Sequence, residues 1–71
     1  MNIKISLSNH FIEINSLHYT IDEMEFQDNR DMLKYLISNI DSSSYFKIEN
    51  KEKTKVLYIF TSQICSIQQS F

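Results

Sequence analysis

The sequence predicts a small α+β fold in which one amphipathic helix packs on one face of a small antiparallel β-sheet, in the order ββ(β)αββ(β). Three observations predict it. Polar and apolar residues alternate near the N-terminus, one central stretch has helical periodicity, and two stretches typical of strands follow it. A chain of 71 residues holds one hydrophobic core, so residues 1–71 are expected to form a single domain.

The first part of the chain has the pattern of half-buried strands. Apolar residues occupy every second position in residues 3–7, and residues 11–14 are apolar except for Glu13. The polar residues 8–10 between them favour a hairpin turn. Alternation resumes over residues 17–21, which predicts either a third strand or an extended segment that leads into the helix.

The helix is predicted from a cap and an apolar stripe. Asp28 is a good N-cap, Asp31 suits a capping box, and both acids suit the positive end of the helix dipole. The stripe consists of five side chains: Met32, Leu33, Leu36, Ile37 and Ile40. The mostly polar residues 39–44 end the helix, with Asn39 or Asp41 in place of the usual glycine.

The second half predicts two or three more strands. Residues 45–49 alternate, residues 50–54 form a polar hairpin loop, and residues 56–60 are apolar at every position. The last pattern is typical of a central strand that is covered on both faces. A break at residues 61–63 precedes a short final strand, residues 64–67. Since one helix covers only one face, a second subunit, a partner or the chain's own ends are expected to cover the other.

The chain contains no Gly, Ala or Pro and a single Arg. These four amino acids have GC-rich codons, so the gene is expected to be AT-rich, as in phages, plasmids and low-GC bacteria. Asparagine tolerates the left-handed conformation better than other residues with a side chain, and is therefore expected to replace glycine in turns. The breaks in the apolar pattern contain five asparagines: Asn9, Asn15, Asn29, Asn39 and Asn50.

Bulk properties exclude several classes of protein. The net charge of −2 argues against a simple basic nucleic-acid binder. No apolar run approaches the roughly 20 residues that span a bilayer, and the N-terminus has no signal-peptide core. We therefore expect no membrane association and a cytoplasmic protein, in the host cytoplasm if it is phage-encoded. A single cysteine excludes an intramolecular disulfide.

Residues 22–31 form an acidic segment, the first candidate for binding a partner. Its acids are Asp22, Glu23, Glu25, Asp28 and Asp31. Carboxylates spaced along an extended segment can imitate nucleic-acid phosphates or dock on a basic protein. The simpler interpretation is a solvated loop followed by acids that the helix dipole favours.

The hairpin 47–55 is the candidate for binding nucleic acid, together with Tyr45 and Tyr58. Its lysines are Lys47, Lys51, Lys53 and Lys55. A basic sheet face with aromatic side chains binds single strands in many small folds. Against this, Glu49 and Glu52 alternate with the lysines, and arginine is absent here. The simpler interpretation is a hairpin tip of mixed charge that keeps a sheet edge soluble, so nucleic acid is the less favoured partner.

Aromatic side chains are the second candidate for partner contacts, since one helix leaves apolar surface uncovered. The tyrosines in question are Tyr19, Tyr35, Tyr45 and Tyr58. Phe71 is a further ring that a core with one helix does not easily accommodate. The simpler interpretation is that these rings are half-buried on the open sheet face.

No residue set predicts a catalytic site, a metal site or a cofactor. His10, His18 and Cys65 are too few for a structural zinc site, and Cys65 is expected to be a small buried apolar residue. Without glycine, a nucleophile elbow or a phosphate loop is not expected, so the chain is not expected to be an enzyme.

The favoured function is a non-enzymatic protein-binding module, an accessory protein of a phage or mobile element that inhibits a host defence system by steric occlusion. The expected partner is a host protein with a basic or nucleic-acid-binding surface. Two alternatives stay open. One is a small nucleic-acid-binding protein that uses the hairpin 47–55, and the other is a structural homo-oligomeric component of a phage or plasmid.

Overall fold

A computed structural model describes residues 2–70, and it confirms the predicted α+β class and order of elements. Within these residues the strands are β1 Asn2–Leu7, β2 Phe11–Ile14, β3 Tyr19–Ile21, β4 Tyr45–Asn50, β5 Val56–Phe60 and β6 Ile64–Ser70. The helix α1 is Asn29–Asn39, and a 3-10 turn, Thr61–Gln63, follows β5. The third strand forms, but Leu17 lies in the turn before it. Phe71 lies outside the described residues.

The strands of residues 2–70 form two three-stranded antiparallel sheets, not the single sheet that the sequence predicted. The first sheet has the order β2-β1-β6 and the second has the order β3-β4-β5. The 3-10 turn leads the chain away from the second sheet, and β6 pairs with β1, with Ile67 opposite Ile5. Periodicity indicates which residues form a strand but not which neighbour the strand joins, so this prediction was wrong.

Both sheets and the helix share one hydrophobic core. Its members are at most 4% exposed: Ile3, Ile5, Ile14, Ile21, Met32, Leu36, Phe46, Ile48 and Ile59. The helix lies closest to β1. Burial of each such side chain contributes about 1.5–3 kcal/mol, and this shared core is the main stabilising feature of so small a chain.

The helix begins on Asp28, as the sequence predicted. The Asp28 Oδ1 atom accepts a hydrogen bond of 2.9 Å from the Asp31 N–H. Met32 and Leu36, one turn apart, are fully buried. Ile37, a member of the predicted stripe, is 58% exposed because the helix contacts the core along a narrower strip. In the described part of the chain, no helix is long and apolar enough to cross a membrane.

Asparagine does not adopt the left-handed conformation anywhere in residues 2–70, contrary to the prediction. The residues with positive φ are Asp22, Glu23 and Lys53. The asparagine side chains hold the loops in a different way, by accepting backbone hydrogen bonds. Asn50 Oδ1 accepts the N–H groups of Thr54 and Lys55 at 3.0 and 2.9 Å. The helix also ends without a left-handed cap, since Ile40 has φ −61°. A side chain that accepts backbone hydrogen bonds can therefore stabilise a loop without a residue in the left-handed conformation.

β5 is an edge strand, not the covered central strand that its apolar sequence predicted. In the described residues only β4 pairs with it. Ile59 is buried, but Val56 is 42% exposed, Leu57 36%, Tyr58 55% and Phe60 53%. An uninterrupted apolar run does not distinguish a strand with two covered faces from a strand with one open face.

Candidate protein-binding surface

Strand alternation places one set of side chains on the outer side of the second sheet. Phe46, Ile48 and Ile59 point into the core, so their neighbours along β4 and β5 point away from it. Tyr45 of β4 lies opposite Phe60 of β5 in this outward set. Four of these side chains form a surface that we call the aromatic face: Tyr45, Val56, Tyr58 and Phe60.

Contacts between the rings order the aromatic face. Tyr45 and Tyr58 meet edge to face with their ring centroids 5.7 Å apart, and Tyr45 meets Phe60 in the same way at 6.3 Å. Ring pairs of this kind contribute about 0.5–1.5 kcal/mol beyond the area that they bury. All three rings are still about half exposed, so the face is an ordered apolar surface in contact with solvent.

The hydrogen bonds between β4 and β5 define which backbone groups of β5 are paired. The Asn50 N–H donates to the Lys55 carbonyl at 3.3 Å, and the Thr61 N–H donates to the Ser44 carbonyl at 3.0 Å. When the β4–β5 register is extended by one residue at each end, Asn50 lies directly opposite Lys55 and Ser44 lies directly opposite Thr61. Both bonds therefore join directly opposed residues. Hydrogen-bonded and non-hydrogen-bonded pairs alternate along an antiparallel ladder. The odd-numbered residues of β5 therefore bond to β4, and the even-numbered residues direct their N–H and C=O groups away from it.

The free edge of β5 thus consists of the backbone groups of Val56, Tyr58 and Phe60. Each residue offers one donor and one acceptor beside the aromatic face. Edge strands usually carry a lysine, a proline or a bulge that blocks further pairing. β5 pairs with β4 in an unbroken register and contains none of these features; the nearest charge along the chain is on Lys55, and Lys47 and Glu49 lie opposite Tyr58 and Val56 on β4. The edge is therefore open to another strand.

An apolar groove of about 240 Å³ lies beside the inner side of β5. Strands of both sheets line it: Ile12, Glu13, Ile14, Tyr19, Ile48, Lys55 and Leu57. Tyr19, a predicted partner contact, lies in this groove and packs against the core, away from the aromatic face. β5 consequently borders uncovered apolar surface on both of its faces.

Asp22 and Tyr35, two predicted contact residues, bind each other. Asp22 Oδ1 accepts the Lys47 N–H at 3.0 Å, and Asp22 Oδ2 accepts a hydrogen bond from the Tyr35 hydroxyl. The Tyr35 ring also packs against Phe26 and Phe46, with centroids 5.5 and 6.2 Å away. Burial raises the pKa of Tyr35 to about 12, and the Asp22 carboxylate adds to the shift. These residues therefore join the helix to the second sheet.

The acidic segment and the lysine hairpin meet in the structure. Glu23 Oε1 lies 3.0 Å from Lys47 Nζ, and Glu25 Oε1 lies 3.3 Å from Lys51 Nζ. Hydrogen bonding and charge attraction between Glu23 and Lys47 lower the pKa of Glu23 and raise that of Lys47. A charged groove of about 530 Å³ is lined by Thr20, Glu23, Glu25, Lys47, Glu49, Asn50, Lys51 and Lys53. The two charged surfaces that the sequence predicted separately thus adjoin, and their charges offset each other.

The remaining charged candidates are dispersed. Asp28 and Asp31 lie at the start of α1, where the Asp28 carboxylate caps the helix. Lys53 lies in the hairpin loop with φ 59° and lines the charged groove, whereas Lys55 lines the apolar groove. Neither the acids nor the lysines therefore gather into a surface of one sign.

Cys65 is exposed, contrary to the expectation that it is buried. Leu7 of β1 pairs with Ile64 and Ser6 pairs with Ser66, so Cys65 has no partner residue on β1. The usual alternation of a strand is interrupted at this position and does not direct Cys65 inward. His10 and His18 lie in exposed loops. Over residues 2–70, no three His, Cys, Asp or Glu side chains gather in a way that suits a metal ion.

Sequence reasoning missed two parts of the surface, the contribution of Val56 and Phe60 and the free edge of β5. The spacing of Tyr58 and Phe60 contained the first signal, because residues two apart in a strand share a face. The second had no local signal. Comparisons of the chain with protein-family models, curated proteins and solved structures gave no match.

Proposed function

We propose that this chain is a protein-binding module whose contact surface combines the aromatic face with the free edge of β5. The observation that carries the proposal is the exposure of four of the five β5 side chains beside backbone groups that point away from β4. Such an edge accepts an extended segment by strand addition. Main-chain hydrogen bonds then supply affinity, and neighbouring apolar side chains supply contact area and specificity.

The exposed apolar area supports this proposal. Tyrosine and phenylalanine side chains present roughly 150–250 Å² each, so three half-exposed rings leave on the order of 300 Å² in water. A contiguous apolar patch of this size on a monomer is often functional. Tyrosine is also enriched among the residues that contribute most to interfaces.

The module acts by occupying a surface of its partner, without chemistry of its own. The composition, which indicates an AT-rich gene, favours a phage or mobile element as its source and a host protein as its target. The acidic segment contributes less than the sequence indicated, since Glu23 and Glu25 face Lys47 and Lys51 of the same chain.

A second candidate function is the binding of single-stranded nucleic acid. It is favoured by the exposed rings of Tyr45 and Tyr58 on a sheet surface that also includes Lys47. It is the weaker candidate because Lys47 faces Glu23 and the net charge is −2. A gel-shift assay at low salt separates the two functions. A shift that Tyr45→Ala and Tyr58→Ala both abolish would replace the protein-binding proposal.

Site-specific photo-crosslinking tests the proposal directly. A benzophenone amino acid replaces Phe60 in one variant and Ile37 in the matched control, which is exposed to a similar extent on the helix. Both variants are expressed in the cells that naturally produce the protein. We expect protein adducts, identified by mass spectrometry, from position 60 and not from position 37. No adduct at position 60, or the same adducts at both positions, would reject the proposal.

A further inference from the structure

We infer that the occupant of the free edge is a second copy of this chain, joined by antiparallel pairing of two β5 strands about a two-fold axis at Tyr58. The inference rests on the proposed function because it uses the same surface: the second copy pairs with the edge, and the target then contacts the outward aromatic faces of the dimer. A two-fold dimer brings one surface against an identical surface, so that surface must complement itself. β5 meets this requirement in its backbone, its side chains and its charge.

The backbone of β5 is self-complementary. Tyr58 is the middle residue of the strand, so an axis there places it opposite Tyr58 of the second copy and places Val56 opposite Phe60. These are the three residues whose N–H and C=O groups point away from β4. Opposed residues of this kind exchange two hydrogen bonds, so the three pairs form about six. A shift by one residue would place these groups opposite residues that already bond to β4.

The side chains match along the same register. On the outer side, Tyr58 packs beside Tyr58 of the second copy and Val56 beside Phe60, so the two aromatic faces become continuous. On the inner side, the partly exposed Leu57 lies beside Ile59. Every opposed pair is therefore apolar.

No like charges meet across this axis. β5 has no charged residue, and Lys55 falls opposite the neutral Thr61 of the second copy. The other edge strands of residues 2–70 are less suitable: β2 contains Glu13, β3 has three residues, and β6 is mainly Ser and Gln. β5 is thus the all-apolar edge of the described chain.

The available area predicts a weak dimer. A typical specific interface buries about 800 Å² per partner. The exposed parts of the two β5 rings, Tyr58 and Phe60, provide at most on the order of 200 Å², and Val56 and Leu57 add a smaller amount. We therefore expect a weak dimer whose population rises with protein concentration.

Sedimentation equilibrium of the full chain tests the inference. The apparent mass of wild type should rise with concentration from 8.5 kDa toward twice that value. Tyr58→Lys and Tyr58→Glu each place like charges on the axis, so each should stay monomeric where wild type dimerises. An equimolar mixture pairs Lys with Glu and should restore the dimer. Circular dichroism checks the fold of each variant. Hydrogen exchange of wild type tests the pairing without any substitution, since protection of the Tyr58 amide should rise with protein concentration.

The matched control is Ile37→Lys, which adds the same charge at an exposed apolar position on the helix, outside β5 and the aromatic face, and should retain the dimer. A dimer that forms without added amide protection at Tyr58 means that the faces stack, which overturns strand pairing. Failure of the Lys–Glu mixture to restore the dimer also overturns strand pairing. A monomer at every concentration also overturns the inference. Adducts from position 60 to a different protein would then leave the proposed function in place, whereas the absence of any adduct would overturn both.

Discussion

At the scale of single residues, polar side chains replace the missing glycine and proline. Asn50 closes its hairpin loop by accepting two backbone N–H groups. Asp22 and Glu23 form a tight turn with φ of 52° and 68°, across which Ile21 and Met24 exchange two backbone hydrogen bonds. The left-handed conformation costs about 1–2 kcal/mol for a residue with a Cβ atom. The two hydrogen bonds that the Asp22 carboxylate accepts offset this cost.

Asn50→Ala tests the loop-closing role of asparagine. The substitution leaves the N–H groups of Thr54 and Lys55 without their side-chain acceptor, so we expect the free energy of unfolding to fall by about 1–2 kcal/mol. Asn50→Asp keeps an acceptor oxygen and is the control, with a smaller loss. Urea unfolding measures both values, and equal losses in the two variants would contradict the assigned role.

Tyr35 gives a prediction on pH. Its pKa is about 12 in the folded state against 10.0 for an unperturbed tyrosine, so the folded state holds the proton more tightly. The stabilisation linked to this group is therefore complete below pH 10 and is lost as the pH rises from 10 toward 12. Over this range, the free energy of unfolding should fall more steeply for wild type than for Tyr35→Phe. Chemical unfolding at several pH values provides the comparison, and parallel curves would show that the assigned linkage is wrong.

At the scale of elements, the predictions that hold are those that depend on residues close together in the chain. The helix start at Asp28 depends on one turn of sequence, and the β1–β2 hairpin depends on nearby alternation. The pairing of β6 with β1 joins the two ends of the chain and has no local signal. Because the sequence does not reveal that pairing, the apolar run of β5 predicts a covered strand where the structure has an open edge.

The tyrosines show the same limit. Tyr45 and Tyr58 lie together on the exposed aromatic face. Tyr19 faces inward from β3, and Tyr35 turns toward Phe46. Alternation shows which residues share a face of a strand, but the face that meets the core depends on how the sheets and the helix assemble.

The edge position of β5 predicts alternating protection of its amides. The N–H groups of Leu57 and Ile59 bond to β4, whereas those of Val56, Tyr58 and Phe60 point outward. In dilute solution we expect slow hydrogen exchange for the first two amides and fast exchange for the other three, as measured by NMR. β4 pairs on both sides and serves as the internal control. Equal protection of all five β5 amides in the dilute monomer would mean that the edge is covered.

At the scale of the whole molecule, the fold neutralises part of the charge asymmetry but leaves apolar surface exposed. Residues 1–31 carry six acids and two bases, and residues 32–71 carry five lysines and three acids. The fold brings the halves together at Glu23–Lys47 and Glu25–Lys51, so part of this asymmetry is neutralised within the chain. The aromatic face stays exposed in the described chain, and for that reason the proposed function is assigned to it rather than to the acids.

The neutralisation within the chain is tested by exchanging the charges of Glu23 and Lys47. Glu23→Lys and Lys47→Glu each bring like charges together and should each lower the free energy of unfolding. The double variant restores an attractive pair of reversed sign and should recover most of the loss. Both side chains border solvent, so about 1 M salt, which shortens the Debye length to about 3 Å, should reduce these differences. Urea unfolding of the four proteins at low and high salt measures the effect. A loss that the double variant does not recover, or that salt does not change, would show that packing rather than charge accounts for the contact.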